Sequence, residues 1–275
     1  MKLFELLYRG INRARRALYR AGILKAKRLP KPVISVGNLA IGGAGKTPAV
    51  IAIGRELIAR GYRVAVLTRG YGRSGDEAGS VTSFDAARFG DEPVLIKKKL
   101  ETADVIVGRK RHENGLLANC DVYLLDDGFQ HLQLHRDVDV VIDSPSARWH
   151  REGRSALRDA TIVIERNLRL AVPNEMRGQR LFAFSGLANN EQFFAALRNE
   201  GLTLAGTRGF PDHHRYSASD LEAIRKAARD SGATSIVTTE KDAVKIDARD
   251  MIAVEAEMVI DDAVLAEIIA RAGLP

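Results

Sequence analysis

The chain has 275 residues, 45% of them hydrophobic and 28% charged, with a net charge of +7 and one cysteine, Cys120. That length suffices for one large core or two modest ones. A lone cysteine excludes an internal disulfide, and no stretch approaches the roughly 20 uninterrupted apolar residues needed to span a bilayer. The start Met1-Lys2-Leu3-Phe4-Glu5 puts an acid where a signal peptide would carry its apolar run, so a reducing, cytosolic setting is expected.

The positive charge is local. Residues 1–32 hold ten Lys and Arg against one acid, Glu5, leaving the rest of the chain slightly acidic. A nucleic-acid enzyme would spread a basic groove over its body, so no nucleic-acid partner is expected. The segment also has helical periodicity. Leu3, Leu7, Ala14 and Leu18, with Phe4, Tyr8 and Ile11 beside them, gather on one side, and Arg9, Arg13, Arg16 and Arg20 on another. Residues 1–30 therefore read as a basic amphipathic helix. It suits either the interface of an anionic membrane or packing on its own domain with a solvated basic face.

After Pro30 and Pro32, Val33-Ile34-Ser35-Val36 has the short β-branched run of a buried parallel strand. A glycine-rich loop follows, and a helix opens at Thr47-Pro48 and stops at Gly61. Strands are expected at 64–67, 105–107, 122–125 and 138–142, with a helix starting at Gly90-Asp91-Glu92-Pro93 and Asp91 as its N-cap. Alternating strand and helix indicates a parallel sheet with helices on both faces. The pattern lapses between Asp143 and Asp159 and resumes near Thr161. The expected domains are therefore 31–158 and a smaller α/β unit, 159–275, with strands at 181–185 and 235–238 and helices near 191–200, 219–231 and after Asp261.

Ala40-Ile41-Gly42-Gly43-Ala44-Gly45-Lys46-Thr47 has Walker A spacing, with Ala40 in place of the first glycine. Such a loop turns backbone N–H groups toward phosphate oxygens, while Lys46 can reach the β and γ phosphates and Thr47 can ligate magnesium. The apolar run ending in Asp126-Asp127 supplies the matching acids. A base for an attacking hydroxyl is still required. Asp91 is one candidate; His213 and His214, beside Asp212, are others, and with one cysteine and no helical His-x-x-x-His a zinc reading of these histidines is weak.

Taken together these motifs resemble the LpxK family, the tetraacyldisaccharide 4′-kinases of lipid A biosynthesis. The resembling residues are 36–38 with 42–48, Thr68-Arg69-Gly70-Tyr71-Gly72, Gly90-Asp91-Glu92-Pro93, Val107-Gly108-Arg109, Asp126-Asp127-Gly128-Phe129-Gln130-His131, Phe210-Pro211-Asp212-His213-His214 and Thr238-Thr239-Glu240-Lys241-Asp242. The resemblance implies two α/β/α domains of P-loop NTPase type with the active site between them. It implies transfer of phosphate from ATP, with Mg²⁺, to the 4′-hydroxyl of an acylated glucosamine disaccharide 1-phosphate, giving lipid IVA at the cytoplasmic face of the bacterial inner membrane. By the same resemblance Lys46 and Thr47 hold phosphates and Mg²⁺, Asp126 and Asp127 serve the metal, and Asp91 is the base, assisted by His213 or His214, of which His213 is favoured. Arg69, Glu92, Arg109, His131 and Arg158 would line the cleft. An acylated substrate makes the N-terminal helix an interfacial anchor, and the chain is expected to act as a peripheral monomer.

One departure stands out: where the family has a longer Leu-Pro-x-Gly-x-Leu-Arg-Glu stretch, this chain shows only Arg154-Ser155-Ala156-Leu157-Arg158-Asp159. The rival reading is a P-loop ATPase switch of the MinD or metallochaperone type. Those proteins carry a second lysine early in the loop, where this chain has Ile41.

Overall fold

The β-branched runs after Pro32 assemble into two parallel sheets in a computed structural model that describes residues 2–40, 45–143, 152–247 and 249–275. Helix α1 (Lys2–Arg20) precedes the first domain. The domain runs β1 (Val33–Asn38), α2 (Lys46–Ala59), β2 (Val64–Thr68), β3 (Gly79–Ser80), α3 (Ala86–Phe89), α4 (Asp91–Lys99), β4 (Asp104–Val107), α5 (Arg111–Gly115), β5 (Val122–Asp126), β6 (Val138–Asp143) and β7 (Ile162–Glu165). The sheet order is β3-β4-β2-β5-β1-β6-β7, parallel except for β3.

Strands buried on both faces are needed for such a sheet, and the side-chain alternation supplies them. Ile34, Val36, Val66 and Leu124 point into one core with α2 and α4, whereas Val33, Ala65, Leu67, Tyr123 and Leu125 point into the core on the other face. Each fully buried Val, Ile or Leu contributes roughly 1.5–3 kcal/mol.

The second domain runs β8 (Leu168–Ala171), β9 (Arg180–Ser185), α6 (Asn190–Asn199), β10 (Thr203–Gly209), α7 (Ala218–Asp230), β11 (Ser235–Thr239), α8 (Glu240–Ala243), β12 (Met251–Met258) and α9 (Asp262–Arg271). Its sheet order is β10-β9-β11-β12-β8, with β8 antiparallel to β12.

Two features depart from the expected domain limits. β7 hydrogen-bonds in parallel to β6, so the first sheet continues past residue 158 to Glu165. Helix α9 returns to the first domain, burying Ile268, Ile269 and Ala272 in the same core as Ile34 and Val50. The chain thus crosses between domains twice, on the paired strands β8 and β12.

Helix α1 docks through polar residues. Asn12 and Arg16 are its buried side chains in the described part, while Ile11 and Leu18 are exposed, as are Ile23 and Leu24 just beyond it. Arg16, expected on a solvated face, donates through Nε and Nη2 to Glu152 at 2.5 and 2.9 Å and through Nη2 to the Phe129 carbonyl at 3.0 Å. Its guanidinium also lies 4.0 Å from the centre of the Phe129 ring. Arg20 pairs with Asp159 at 2.5 Å. Removing one partner of a buried bidentate pair costs about 3–5 kcal/mol, because the other charge is left buried and uncompensated. The side chains of Leu3, Phe4, Leu7, Tyr8 and Arg9 lie outside the described ones.

Candidate active site

The phosphate-loop side is built by two adjacent strands. β1 and β5 are parallel with Val36 opposite Asp126, so the strand that enters the loop and the strand that ends in acids finish side by side. Ala40 is buried at the loop's start; Ile41, Gly42, Gly43 and Ala44 lie outside the described residues. Gly45 caps α2 at φ 80, a left-handed conformation, and a Cβ there would come within 2.8 Å of the Met258 methyl group. Lys46 opens α2, and its ammonium lies 3.5 Å from Asn38 Oδ1 and 3.3 Å from Asp127 Oδ1.

Asp126 is 2% exposed and accepts a hydrogen bond from Thr68 Oγ1 at 2.9 Å. Its second oxygen, Oδ1, has no hydrogen-bond partner. Burial, with the charges of Glu92 and Asp127, pushes its carboxyl up to about 6. A buried carboxylate with an unsatisfied oxygen, at the end of the strand beside the one that leads to Thr47, fits a hard divalent cation with oxygen ligands. Among the described residues no three His, Cys, Asp or Glu side chains form a ready-made cage. Magnesium bound through one or two protein oxygens plus phosphate oxygens and water needs none.

Asp127 has φ 50, unusual for a residue with a side chain. That twist presents its carboxylate to Lys46 and its carbonyl to Arg111, whose Nη1 donates at 3.1 Å. Arg111 is buried, and burial lowers its pKa while Asp127 and Asp126 oppose that shift. It was not among the expected site residues. An arginine opening a short helix reads as solvated until the sheet edge is closed over it.

The other side of the site spans the domains. Gly90, at φ 96, is the N-cap of α4, and Asp91 is the first helical residue rather than the cap; a Cβ on Gly90 would meet the Tyr71 carbonyl at 3.0 Å. Asp91 is 4% exposed and receives His213 Nδ1 at 2.9 Å on Oδ2 and 3.1 Å on Oδ1. His213 itself has φ 57, held by a hydrogen bond from its N–H to the Gly186 carbonyl at 3.3 Å, and its ring packs 4.9 Å from that of Tyr71. Non-glycine residues in left-handed conformations collect at functional sites, and this site has two.

Burial would raise the Asp91 pKa, but His213, Lys241 and Lys245 outweigh it and hold the carboxyl below its ordinary value. Burial would lower the His213 pKa, but its hydrogen bond to Asp91, together with the charges of Asp91 and Asp212, outweighs burial and leaves it raised. The pair is therefore a carboxylate with a proton held close by on imidazole. Its neighbours include Lys241, 3.4 Å from Glu92 and 3.9 Å from Asp91, and Lys245, 4.0 Å from Asp91. The adjacent histidine is turned away: His214 bonds Asp220 at 3.2 Å and stacks on Phe210 at 4.7 Å. Of the two histidines, left open in the sequence, His213 is the one that contacts Asp91.

The remaining expected residues divide. Glu92 reaches the site through Lys241. His131 is half-buried and its pKa is pushed down to about 4 by burial and by Arg111, Arg136, Arg15 and Arg69, so it is neutral at neutral pH. Arg69 is exposed near these cations. Arg109 is exposed and paired with exposed Asp76 at 3.4 Å, whereas Arg111, two residues on, reaches the Asp127 carbonyl. Arg158 is exposed in a 3₁₀ turn and donates to the Ser155 carbonyl at 2.8 Å, while Asp159 serves Arg16 and Arg20 of α1. Beside Asp91 and His213 opens a cavity of about 400 Å³, walled by Phe84, Ala86, Val244 and Ile246.

The family model described as Tetraacyldisaccharide-1-P 4′-kinase matches residues 1–164 and 147–273. A protein named tetraacyldisaccharide 4′-kinase from Pelobacter propionicus is 37% identical, over 88% of this chain and 81% of its own length. One of the same name from Geobacter metallireducens is 38% identical, over 85% and 84%. The crystal structure of LpxK from Aquifex aeolicus in complex with ATP superposes with a TM-score of 0.79 at 30% identity, covering 98% of this chain and 97% of that one. With the paired acids and the Asp91–His213 contact in place on this fold, the chain belongs to the LpxK family of tetraacyldisaccharide 4′-kinases.

Proposed function

We propose that this protein transfers the γ-phosphate of ATP to the 4′-hydroxyl of an acylated glucosamine disaccharide 1-phosphate, forming lipid IVA. The observation that carries the reading is the presence of two distinct acid sites on the first domain: Asp126 with a free oxygen, on the strand next to the one that enters the phosphate loop, and Asp91 hydrogen-bonded to His213 of the second domain.

In this reading the loop from Ala40 through Thr47 cradles the triphosphate, and Lys46 exchanges its contact with Asp127 for phosphate oxygens. Thr47, Asp126 and Asp127 would hold Mg²⁺, which neutralises charge on the phosphates when bound. Asp91 accepts the proton of the 4′-hydroxyl as its oxygen bonds to the γ-phosphorus and the bond to the bridging β–γ oxygen breaks. His213 keeps Asp91 oriented and ionised until then. Arg69, Arg111 and His131 line the same edge toward nucleotide or substrate phosphate.

The membrane reading rests on α1. Its docking through Arg16 leaves Ile11 and Leu18 exposed, followed by exposed Ile23 and Leu24, in a segment, residues 1–32, that holds ten Lys and Arg. Apolar side chains in acyl chains and arginines at anionic headgroups, each worth about 1 kcal/mol, would hold the enzyme peripherally at the cytoplasmic face of the inner membrane, next to its substrate. Among the described residues no helix is long and apolar enough to cross a membrane.

Purified protein with Mg-ATP and detergent-dispersed disaccharide 1-phosphate should yield the 1,4′-bisphosphate. ATP binding without that product sinks the kinase reading. Removing residues 1–28 should release the protein from anionic vesicles, and unchanged sedimentation would return α1 to a purely structural role.

A further inference from the structure

Lys241 stands on the second-domain side of the cleft, at the first turn of α8, with its side chain 17% exposed. Its ammonium lies 3.4 Å from Glu92, 3.4 Å from Asp212, 3.4 Å from His213 Nε2 and 3.9 Å from Asp91. Two of these groups belong to α4 of the first domain and two to the loop that carries His213. No other described cation is placed within 4 Å of both Asp91 and the far nitrogen of His213; Lys245, also 4.0 Å from Asp91, is committed to Asp242 at 2.6 Å.

The seat of Lys241 is rigid. Thr239 caps α8 by accepting from the Asp242 N–H at 3.0 Å, and its hydroxyl donates to Asp242 Oδ2 at 2.7 Å. Asp242, fully buried, also accepts from the Gly186 N–H at 2.9 Å, one residue beyond β9. At the far end of α4, Lys99 pairs with Glu240 at 2.5 Å and Glu255 at 2.6 Å. Charge pairs from the start of α8 thus reach both ends of α4 across the cleft.

We propose that Lys241 is a positioning residue for phosphate transfer, a latch from the second domain that grips Asp91 and Glu92 and holds the Asp91–His213 pair assembled across the cleft. The proposal rests on the kinase reading above. Three carboxylates keep the lysine charged despite its burial, the Glu92 interaction being the largest of these opposing influences. Its charge in turn lowers the proton affinity of both Asp91 and His213. Whichever of the two groups must be unprotonated for turnover, losing Lys241 moves that requirement to higher pH. Glu92 and Asp212 act on the pair in the opposite direction and Lys245 in the same one, and all three remain in a Lys241 variant. A residue that only stabilised the fold would lower activity equally at all pH values.

The test uses the full chain with Mg-ATP and detergent-dispersed lipid. Lys241→Met should lower kcat roughly 10- to 100-fold with KM for ATP within about twofold, and move the acid limb of the kcat–pH profile up by about one unit. Lys241→Arg, which keeps the charge, should restore the limb and most of the rate. A folded Met variant with kcat within twofold and an unmoved limb overturns the proposal. So does an equal, pH-independent loss in the Met and Arg variants. If the Met variant does not fold, Lys241→Gln is judged by the same two outcomes. Wild-type protein that makes no bisphosphate would instead overturn the kinase reading, so the two failures are separable.

Discussion

Asp126 and Asp91 are buried almost equally, at 2% and 4% exposure, yet the protein treats their charges in opposite ways. Asp126 sits between Thr68 and the negative charges of Glu92 and Asp127, with one oxygen unsatisfied and its pKa raised to about 6. Asp91 is given His213, Lys241 and Lys245, and its pKa is lowered. The first carboxylate is left short of positive charge and the second is supplied with it. A buried carboxylate held in deficit suits a cation that arrives with the substrate. One already neutralised by the protein suits a proton acceptor that must be ionised before the substrate arrives.

The sharpest way to break this contrast is to neutralise each acid in turn. Asp91→Asn keeps the volume and one hydrogen bond but removes the proton acceptor, so kcat should fall about 10³-fold or more while KM for ATP changes little. Steady-state kinetics with varied ATP decides it: equal losses in kcat and ATP affinity would move Asp91 into the nucleotide site beside Asp126. A smaller effect separates the histidines. His213→Ala should cost on the order of 10²-fold in kcat. His214→Ala should stay within about threefold, because its partner is Asp220 and not Asp91. The same assay on both variants checks the assignment, and reversed effects would require the 210–216 loop to rearrange before turnover.

The two acids also differ in how far the sequence discloses them. Asp126 follows an apolar strand that pairs with the strand entering the loop, so motif and contact are both written in short contiguous runs. Asp91 and His213 are 122 positions apart in the chain, and the contact between them is a property of domain packing. Residue types pointed to both; only the resemblance joined them. Arg111 and Lys241 show the limit more plainly, since a basic residue in a short helix reads as solvated, yet Arg111 is buried against the Asp127 carbonyl and Lys241 is largely enclosed among acids.

The fold divides in the same manner. β1, β2, β5 and β6, with fully buried or nearly fully buried patterns, are legible as apolar runs. β8, β10 and β12 are not, because half-exposed positions dilute their hydrophobic signal. In β12 the acids Glu255 and Glu257 look like loop residues, yet they face Arg55 of α2, and Glu255 also meets Lys99. The sequence break before residue 159 is real as a lapse in pattern, but the sheet continues beyond it through β7 because Ile162 and Ile164 complete the first core.

The smallest effect is also the most direct measure of the deficit at Asp126. Its pKa lies near 3.8 when unfolded and is raised to about 6 in the fold, so between those values the folded state holds the extra proton. Ionising Asp126 therefore costs folding stability as pH rises through this window, and the cost persists above it. Asp126→Asn removes the charge and should raise the metal-free melting temperature at pH 7 by roughly 2–6 °C, a change of about 1–2 kcal/mol. The advantage over wild type should shrink as pH falls from 7 toward 4, where the wild-type carboxyl becomes protonated in both states. Mg-ATP at pH 7 should close the gap from the other side by stabilising the wild type alone. Thermal melts of both proteins at several pH values, with and without Mg-ATP, supply the measurement. A variant less stable than wild type at pH 7 without metal would mean that Asp126 is already neutralised by the protein, as Asp91 is, and the contrast between the two acids would be lost.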